Sequence, residues 1–493
     1  MRKHLLVSAT SLLAFSLTAC GSDSGGSDDG QQPVPTDAAE TTGLAKTRTA
    51  TLLDGLADAL GEMEGDGGMS LAMESASFAS GSGCEQLDAP EEPEELDLTG
   101  LEEALREVRA FADDHVFKEE YVESDDGTTV IYRIDPASAC EGDSECVSEL
   151  TENPLRVAVN VLEDESLAVR LLVGNDRHDP LSARLSAEQL GLTADLSELM
   201  DAVSLFMEPE DREDLPKTLR GVIDLSLTKN GEQDFSIAFS VLEALNLEVE
   251  DEPGELVAVN IGASTPTSEL RLDANTNSMT WRQNLATVDV TASGSLVCGD
   301  DSDCGAKEQQ GTFRMHLAGM TSQLEMSSGS DGFGISGYGL GDDTSYVALD
   351  DERLVAVDLN QNSGRTLDIR FKDTAEGILV TFEPELDLRV ATALNTLSES
   401  LRVDMPDWLF DEVFDVTLGG DAKPSILIRR PSCDEYGDPV GDAQLEVESG
   451  TLTLAASSAS EPVTVSAGMC VVPAETTTEE PHPFETVAAG VCE

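Results

Sequence analysis

Strict alternation of apolar and polar residues constrains the fold of this chain more than any other pattern in it. Seven segments show this period of two: residues 157–161, 167–173, 223–227, 270–272, 288–290, 367–371 and 452–454. A period of two places every second side chain on the same face of a strand. The sequence therefore predicts strands with one apolar and one polar face, a pattern typical of antiparallel sheets.

Helical spacing is less common. Leu53, Leu56 and Leu60 share one helical face, and Thr99-Gly100-Leu101-Glu102 is a capping-box pattern that predicts the start of a second helix. The apolar residues of 196–206 recur at the spacing of a third helix.

Two stretches repeat one order of features: an acidic C-x5-C turn, strands, a helical face, a proline and a strand. The first stretch contains, in order, Cys140, Cys146, the helix at 196–206, Pro216 and the strand at 223–227. The second contains, in order, Cys298, Cys304, the helical face formed by Val390, Leu394, Leu397 and Leu401, Pro406 and a strand at 413–418. This repetition predicts a tandem duplication. The predicted fold class is α+β: a mostly antiparallel meandering sheet with a few amphipathic helices, built from a duplicated unit and stapled by disulfides.

Composition and these patterns divide the 493 residues into five parts, since such a length exceeds what one core usually serves. The expected parts are a signal peptide at 1–19, a lipidated cysteine with a disordered tether at 20–42, a first α+β unit at 43–265, a second at 266–432, and a short β segment with a tail rich in Pro, Thr and Glu at 433–493.

The N-terminal segment has the form of an export signal. Arg2 and Lys3 precede the apolar run 5–17, which is shorter than the roughly 20 residues that a membrane-spanning helix needs. The run ends in Leu17-Thr18-Ala19-Cys20, which resembles the lipobox of bacterial lipoproteins. That resemblance implies a diacylglyceryl group on the thiol of Cys20 and cleavage before it. The alternative is an ordinary signal peptide with a chance cysteine.

The residues after Cys20 suit a membrane anchor. The run 21–42 is rich in Gly, Ser, Asp and Pro, and such a segment buries too little apolar surface to fold. Gly21 stands where the lipoprotein family's inner-membrane retention signal has aspartate. The resemblance therefore implies a place in the cell envelope, favouring the outer membrane over the inner one in a Gram-negative cell.

The net charge excludes one class of partner. The chain has 97 Asp and Glu against 29 Lys and Arg, a formal charge of −68. Binding to nucleic acid depends on concentrated basic residues, so the sequence predicts that nucleic acid is not a partner. Attraction to anionic lipid is excluded for the same reason, which leaves the lipid on Cys20 as the expected membrane contact.

Eight cysteines remain besides Cys20, and an even number in an exported chain predicts disulfides. The matching spacing predicts the pairs Cys140–Cys146 and Cys298–Cys304. The pairing of the other four is left open: Cys84, Cys433, Cys470 and Cys492. Zinc is disfavoured because no C-x-x-C motif is present, whereas calcium on the acidic residues of the turn 300–303 stays an alternative.

Candidates for catalysis are few. The histidines His115, His178, His316 and His482 are scattered without metal-binding spacing, and each is expected to be solvated or packed. The run 332–337 matches G-x-G-x-x-G, but no helix is predicted after it, so we interpret it as a mobile glycine loop. The sequence predicts no catalytic residue, no metal and no cofactor.

These observations favour a membrane-anchored lipoprotein that acts as a non-catalytic binding or structural module. Its expected partner is a protein or an apolar small molecule, held between the apolar sheet face and the helices. The arrangement is similar, in architecture alone, to the curved sheets with helical lids of periplasmic lipoprotein carriers and mycobacterial lipid-binding lipoproteins. The alternative is an exported hydrolase, calcium-dependent or with an unfamiliar site.

Overall fold

The fold is taken from a computed structural model of the chain. The structure describes residues 32–64, 99–140, 143–207, 212, 215–231, 234–250, 256–273, 275–276, 278–296, 309–327, 333–340, 345–349, 352–359, 367–374, 376–396, 407–433, 439–440, 443–459, 461–474 and 482–492. No helix within these ranges is long and apolar enough to cross a membrane.

The chain is mostly antiparallel sheet, with 58% strand and 21% helix, in one large meandering arrangement. It forms two compact units. The first takes its described residues from 1–69, 95–249 and 261–279, and the second from 70–94, 250–260 and 280–493.

The first unit is a meander in which most strands pair with the strand before them. Its strands are β1 (Val122–Asp125), β2 (Thr129–Arg133), β3 (Leu155–Val161), β4 (Leu167–Val173), β5 (His178–Leu185), β6 (Gln189–Asp195), β7 (Thr218–Lys229), β8 (Asp234–Glu250) and β10 (Ser264–Asp273). Antiparallel pairs join β1 through β8 in order, and β10 then pairs with β8. The alternating segments at 157–161 and 167–173 form strands β3 and β4, which pair with each other in register.

Among the described residues, five α-helices accompany this meander: α1 (Ala38–Glu64), α2 (Thr99–Phe111), α3 (Pro136–Ala139), α4 (Ser144–Glu152) and α5 (Leu196–Ser204). Asp195 caps α5 by accepting hydrogen bonds from the backbone N–H groups of Ser197 and Glu198. Helix α1 buries Leu52, Leu53 and Leu56. These helices confirm the three helical segments predicted from spacing.

The second unit contains a sheet that branches at one long strand and a separate two-stranded sheet formed by Ser432–Cys433 and Pro439–Val440. Its strands are β9 (Leu256–Ile261), β11 (Ser278–Leu296), β12 (Gln309–Ser327), β13 (Phe333–Leu340), β14 (Ser345–Leu349), β15 (Glu352–Leu359), β16 (Leu367–Thr374), β17 (Gly377–Glu383), β18 (Leu386–Thr392), β19 (Val413–Gly419), β20 (Ser425–Arg429), β21 (Ser432–Cys433), β22 (Pro439–Val440), β23 (Gln444–Ser449), β24 (Thr451–Ala456), β25 (Val463–Ser466), β26 (Met469–Pro473) and β27 (Val487–Gly490).

Strand β12 pairs with β14 through residues 313–316 and with β13 through residues 320–326. From β13 the pairing continues through β16, β17, β20, β23, β26 and β27. From β14 it continues through β15, β18, β19, β24 and β25.

Apolar side chains of the two branches pack together and form the core of the second unit. Val380 and Val447 come from the branch that starts at β13, whereas Leu418, Leu452 and Val465 come from the other. Val447 and Val465 are fully buried. The alternating pattern places these residues on the facing sides of the two branches, so sheet packs on sheet there.

The predicted fold class is wrong. The chain is mainly β and not α+β, because the second unit closes its core with a second layer of strands, a role that the sequence assigned to helices. The predicted tandem duplication is wrong as well, since the first unit is a sequential meander with helices and the second is a branched sheet.

Two local predictions fail for related reasons. The helical face predicted from Val390 and Leu394 is strand β18 followed by a short turn at Leu394–Thr396, because residues 386–392 also alternate. Leu397 and Leu401 lie outside the described residues. The described residues 333–337 of the run interpreted as a glycine loop lie in β13, with Gly337 at a positive φ of 63° where the register shifts.

The described part of the chain begins within the predicted tether. The backbone N–H of Val34 donates to the carbonyl of Val161, and helix α1 begins at Ala38. The described end of the predicted tether, residues 32–42, therefore contains ordered backbone and the first turn of a helix.

Candidate functional site

The residues that the sequence singled out fall into two groups. Cys20, Cys298 and Cys304 lie outside the described residues, as do Cys84 and the acidic turn 300–303. Cys140 and Cys146 are joined by a disulfide, with their Cα atoms 5.7 Å apart. This is the pairing that the C-x5-C spacing predicts.

The Cys140–Cys146 bridge spans the turn between helices α3 and α4. Asp143 lies in this turn and caps α4, because its carboxylate accepts hydrogen bonds from the backbone N–H groups of Glu145 and Cys146. Asp143, an acidic residue within the C-x5-C motif, thus stabilises the start of helix α4.

A second disulfide joins Cys470 to Cys492, a pairing that the sequence left open. Glu446 lies beside it, with a carboxylate oxygen within 4.8 Å of both sulfur atoms. Metal binding by cysteine requires the thiolate, which a disulfide does not offer. Glu446 instead forms an ion pair with Arg429, so this group stabilises β20 and β23.

The four histidines within the described ranges lie on different elements and have different partners. Their Nδ1 atoms contact Ser138 Oγ at 2.8 Å for His115, Glu198 Oε2 at 3.1 Å for His178, Asp289 Oδ1 at 2.6 Å for His316 and the backbone N of Phe484 at 3.1 Å for His482. Among these contacts, none joins one histidine to both a serine and a carboxylate. A Ser-His-acid triad is therefore not assembled in the part of the chain that the structure describes.

His316 belongs to a ladder across four strands of the second unit. Asp289 on β11 bonds to His316 on β12, which stacks on Tyr346 of β14 with ring centroids 5.2 Å apart. The guanidinium of Arg353 on β15 lies 4.3 Å from the centre of the Tyr346 ring. Alternating charge and π contacts of this kind stabilise the face of a sheet.

The aromatic cluster of Trp408, Phe414, His482 and Phe484 is the strongest candidate for a ligand site. Trp408 lies on a short turn before β19 and Phe414 lies on β19. His482 precedes the turn Pro483–Thr486, and Phe484 lies within that turn. The His482 ring is 5.4 Å from Phe414, 5.4 Å from Phe484 and 5.7 Å from Trp408, measured between centroids. Only 4% of residues in this chain are Phe, Trp or Tyr, so four rings in contact are a concentrated apolar surface.

The hydrogen bonding of His482 fixes which ring nitrogen carries hydrogen. Nδ1 accepts a hydrogen bond from the backbone N–H of Phe484, so Nδ1 is unprotonated. In a neutral imidazole the hydrogen is then on Nε2. The side chain is 5% exposed, and Nε2 is buried without a hydrogen-bond partner in the structure. A buried N–H donor without an acceptor is costly, and each such group calls for an explanation.

A buried carboxylate lies two residues before Phe414 in the chain. Glu412 is 1% exposed and precedes β19. Its Oε1 accepts hydrogen bonds from Ser457 Oγ at 2.6 Å and from the backbone N–H of Ser458 at 2.9 Å. Burial raises the pKa of this carboxyl, but the hydrogen bonds from Ser457, Ser458 and Val413 outweigh burial, so the pKa of Glu412 is lowered. Glu412 is therefore ionised at neutral pH.

The sequence pattern does not reveal this cluster. His482 falls in the predicted tail rich in Pro, Thr and Glu, and no spacing singles out Trp408, Phe414 or Glu412. Two weak signals were present: aromatic residues recur near 408–414 and again at 484, and prolines on both sides of His482 restrict its backbone.

Comparison with known proteins assigns no function to these residues. The chain matches no known protein family, and no curated protein or solved structure matches it.

Proposed function

We propose that this chain is a lipid-anchored protein of the cell envelope that binds an apolar ligand and catalyses no reaction, with the aromatic cluster as its binding site. One observation carries this proposal: the rings of Trp408, Phe414 and Phe484 are grouped around His482 and remain partly exposed. Ligand sites generally combine apolar walls with a few fixed polar groups. A bound apolar molecule would cover the partly exposed rings.

The proposal predicts that apolar molecules accompany the purified protein. Full-length protein from membranes is extracted with organic solvent, the extract is analysed by mass spectrometry, and uptake of a pyrene-labelled fatty acyl probe is measured. We expect a bound apolar molecule, and we expect Phe484→Ala to weaken uptake of the probe about tenfold, since removing one aromatic wall loses about 1.5 kcal/mol of contact.

Phe313→Ala is the matched control, because Phe313 is a 36% exposed aromatic on β12 outside the cluster. This variant should take up the probe as the unaltered protein does. Wild-type protein with no extractable molecule and no uptake would overturn the proposed binding.

The anchor is tested separately. We expect Cys20→Ala to move most of the protein from the membrane fraction to the soluble fraction, because a surface of charge −68 has no attraction for anionic lipid. Fractionation followed by immunoblotting measures this shift, and Ser22→Ala, which leaves the lipobox intact, is the control. Retention of Cys20→Ala in the membrane fraction would contradict lipid anchoring.

One contact favours the hydrolase alternative. His115 Nδ1 lies 2.8 Å from Ser138 Oγ, the geometry of a serine beside its general base. A fluorophosphonate probe labels activated serines covalently. Under our proposal neither the wild type nor Ser138→Ala is labelled, with or without calcium. Labelling of wild type that Ser138→Ala abolishes would show a reactive serine and would support the hydrolase.

A further inference from the structure

The aromatic cluster is assembled from two separate stretches of the chain. Trp408 and Phe414 lie on or just before β19, whereas His482 and Phe484 belong to the segment 482–492. We call this segment the strap; besides the two rings it contains strand β27. The complete cluster therefore exists only while the strap stays in place.

Hydrogen bonds hold the strap along one edge only. Strand β27 forms an antiparallel ladder of four residue pairs with β26, and the backbone N–H of Ala474 donates to the carbonyl of Thr486. On its other side β27 lies against β25, but within these two described strands no backbone hydrogen bond joins one to the other. A short ladder on a single edge opens at a lower free-energy cost than a strand that is paired on both sides.

The turn of the strap makes three hydrogen bonds within the strap itself. His482 accepts from the backbone N–H groups of Phe484 and Glu485, at Nδ1 and at its carbonyl. Thr486 Oγ1 donates to the carbonyl of Pro483. These bonds can persist if the strap leaves the sheet. His482 Nε2, by contrast, is buried without a partner while the strap is in place, and release gives it access to water.

Apolar contact and a disulfide keep the strap in place. Ala489 packs against the core cluster that contains Val465. The Cys470–Cys492 bridge ties the strap to β26 just beyond Gly490, which pairs with Cys470 in the ladder. A cross-link at the end of the ladder restricts the open state, so it favours the closed one.

A reductant can approach this bridge from one side. Cys492 is partly exposed and its neighbour Val491 is 83% exposed, whereas Cys470 is fully buried. A thiolate of a dithiol reductant therefore attacks the Cys492 sulfur and forms a mixed disulfide, and the electron pair of the broken S–S bond goes to the Cys470 sulfur, which takes up a proton. The second thiol of the reductant then displaces the Cys492 thiolate, which is protonated in turn. The products are two protein thiols and the oxidised reductant.

We infer that the strap is a redox-controlled part of the binding site: the Cys470–Cys492 disulfide holds the two rings of the strap in the aromatic cluster, and its reduction by a dithiol releases them. The oxidised chain then presents four rings to an apolar ligand and the reduced chain presents two. This inference rests on the proposed function, because the surface that changes is the proposed binding site. It assigns to the bridge control over ligand retention.

Hydrogen exchange followed by mass spectrometry on the full chain tests the release. We expect dithiothreitol to raise the exchange rate of residues 484–490 at least about tenfold more than it raises the rates of β16 and β24, since those strands are paired on both sides. The Cys470→Ala, Cys492→Ala double variant should show this fast exchange without reductant and should not respond to it. The Cys140→Ala, Cys146→Ala double variant keeps the bridge of the strap, so its strap should stay protected until it is reduced.

Binding of the pyrene-labelled fatty acyl probe is measured on the same samples. We expect reduction to lower the affinity of the wild type at least about tenfold, because two of the four rings leave the cluster. The Cys470→Ala, Cys492→Ala variant should bind as weakly as the reduced wild type, with or without reductant. The Cys140→Ala, Cys146→Ala variant should respond to reduction as the wild type does.

The outcomes separate the inference from the function on which it rests. An equal rise of exchange in the strap, β16 and β24 would overturn the inference, because the bridge would then only stabilise the unit as a whole. Release of the strap with unchanged affinity for the probe would overturn the control of binding. Failure of both redox forms to bind the probe would overturn the proposed function, whereas hydrogen exchange would still decide whether the bridge holds the strap.

Discussion

Replacing Cys470 and Cys492 together by alanine is expected to lower the free energy of unfolding of the second unit by about 3 kcal/mol. The disulfide closes a loop with a sequence separation of 22, and the loop-entropy relation gives a value of that order for such a length. Cys470 is fully buried, so alanine avoids placing a hydroxyl in the core. Urea unfolding followed by tryptophan fluorescence measures the change.

The two tryptophans make this measurement specific. Trp281 and Trp408 both belong to the second unit, so their fluorescence reports its unfolding. The control is the Cys140→Ala, Cys146→Ala double variant, whose bridge has a separation of 6 and lies in the first unit. It should lose only about 2 kcal/mol, seen by circular dichroism. A larger loss of tryptophan-monitored stability in this control than in the Cys470 and Cys492 variant would contradict the assignment.

Removing the buried carboxylate of Glu412 should have an effect of similar size. Glu412→Ala leaves the Ser457 hydroxyl and the Ser458 N–H without their acceptor, and we expect a loss of about 3 kcal/mol. Glu412→Gln keeps an oxygen but loses the charge, so a loss of about 1–2 kcal/mol is expected. The same urea titration measures both variants.

The pH dependence of this effect has a defined sign. The pKa of Glu412 in the folded chain is below its ordinary value of 4.5, which the unfolded chain retains. Its contribution to stability is therefore fully present above pH 4.5 and is lost as the pH falls through the folded pKa. The stability difference between wild type and Glu412→Gln should shrink over that interval.

Glu383→Gln is the control for an exposed carboxylate. Glu383 pairs with Lys423 at 2.6 Å, but its side chain is 55% exposed, so this substitution should change stability little at any pH. A pH-independent difference between wild type and Glu412→Gln would show that the charge of Glu412 does not stabilise the fold.

Local patterns predicted local structure well. The alternation at 157–161, 367–371 and 452–454 identifies β3, β16 and β24, and the capping box at Thr99 identifies the start of α2. The error at Val390 arose because an apolar residue can satisfy a period of two and a helical spacing together. The pairing partners decide between strand and helix: Val390 pairs with Val357 and with Phe414, so it lies in a strand.

Local sequence patterns do not predict the branched sheet or the aromatic cluster. Strand β12 pairs with two different strands along its length; Gly319, at a positive φ of 56°, lies where the partner changes, but one glycine in a strand does not say which strand pairs next. The cluster brings Trp408 and Phe414 against His482, which is far from them in sequence. Only the tertiary fold places these residues together, so their common role could not be found from spacing.

The branching of the second unit has a consequence for the order in which the chain folds. In the first unit, strands β1 to β8 pair in succession, so each of these pairings joins strands that are neighbours in the sequence. In the second, the core that joins Leu367 to Val465 closes only after β16, β19, β23 and β25 have all been gathered. Non-local closure is slow because its loop entropy is lost before contacts form. We therefore expect the first unit to fold early. Until the second unit has closed, its strand edges are unpaired, and during this interval the protein is most prone to aggregation.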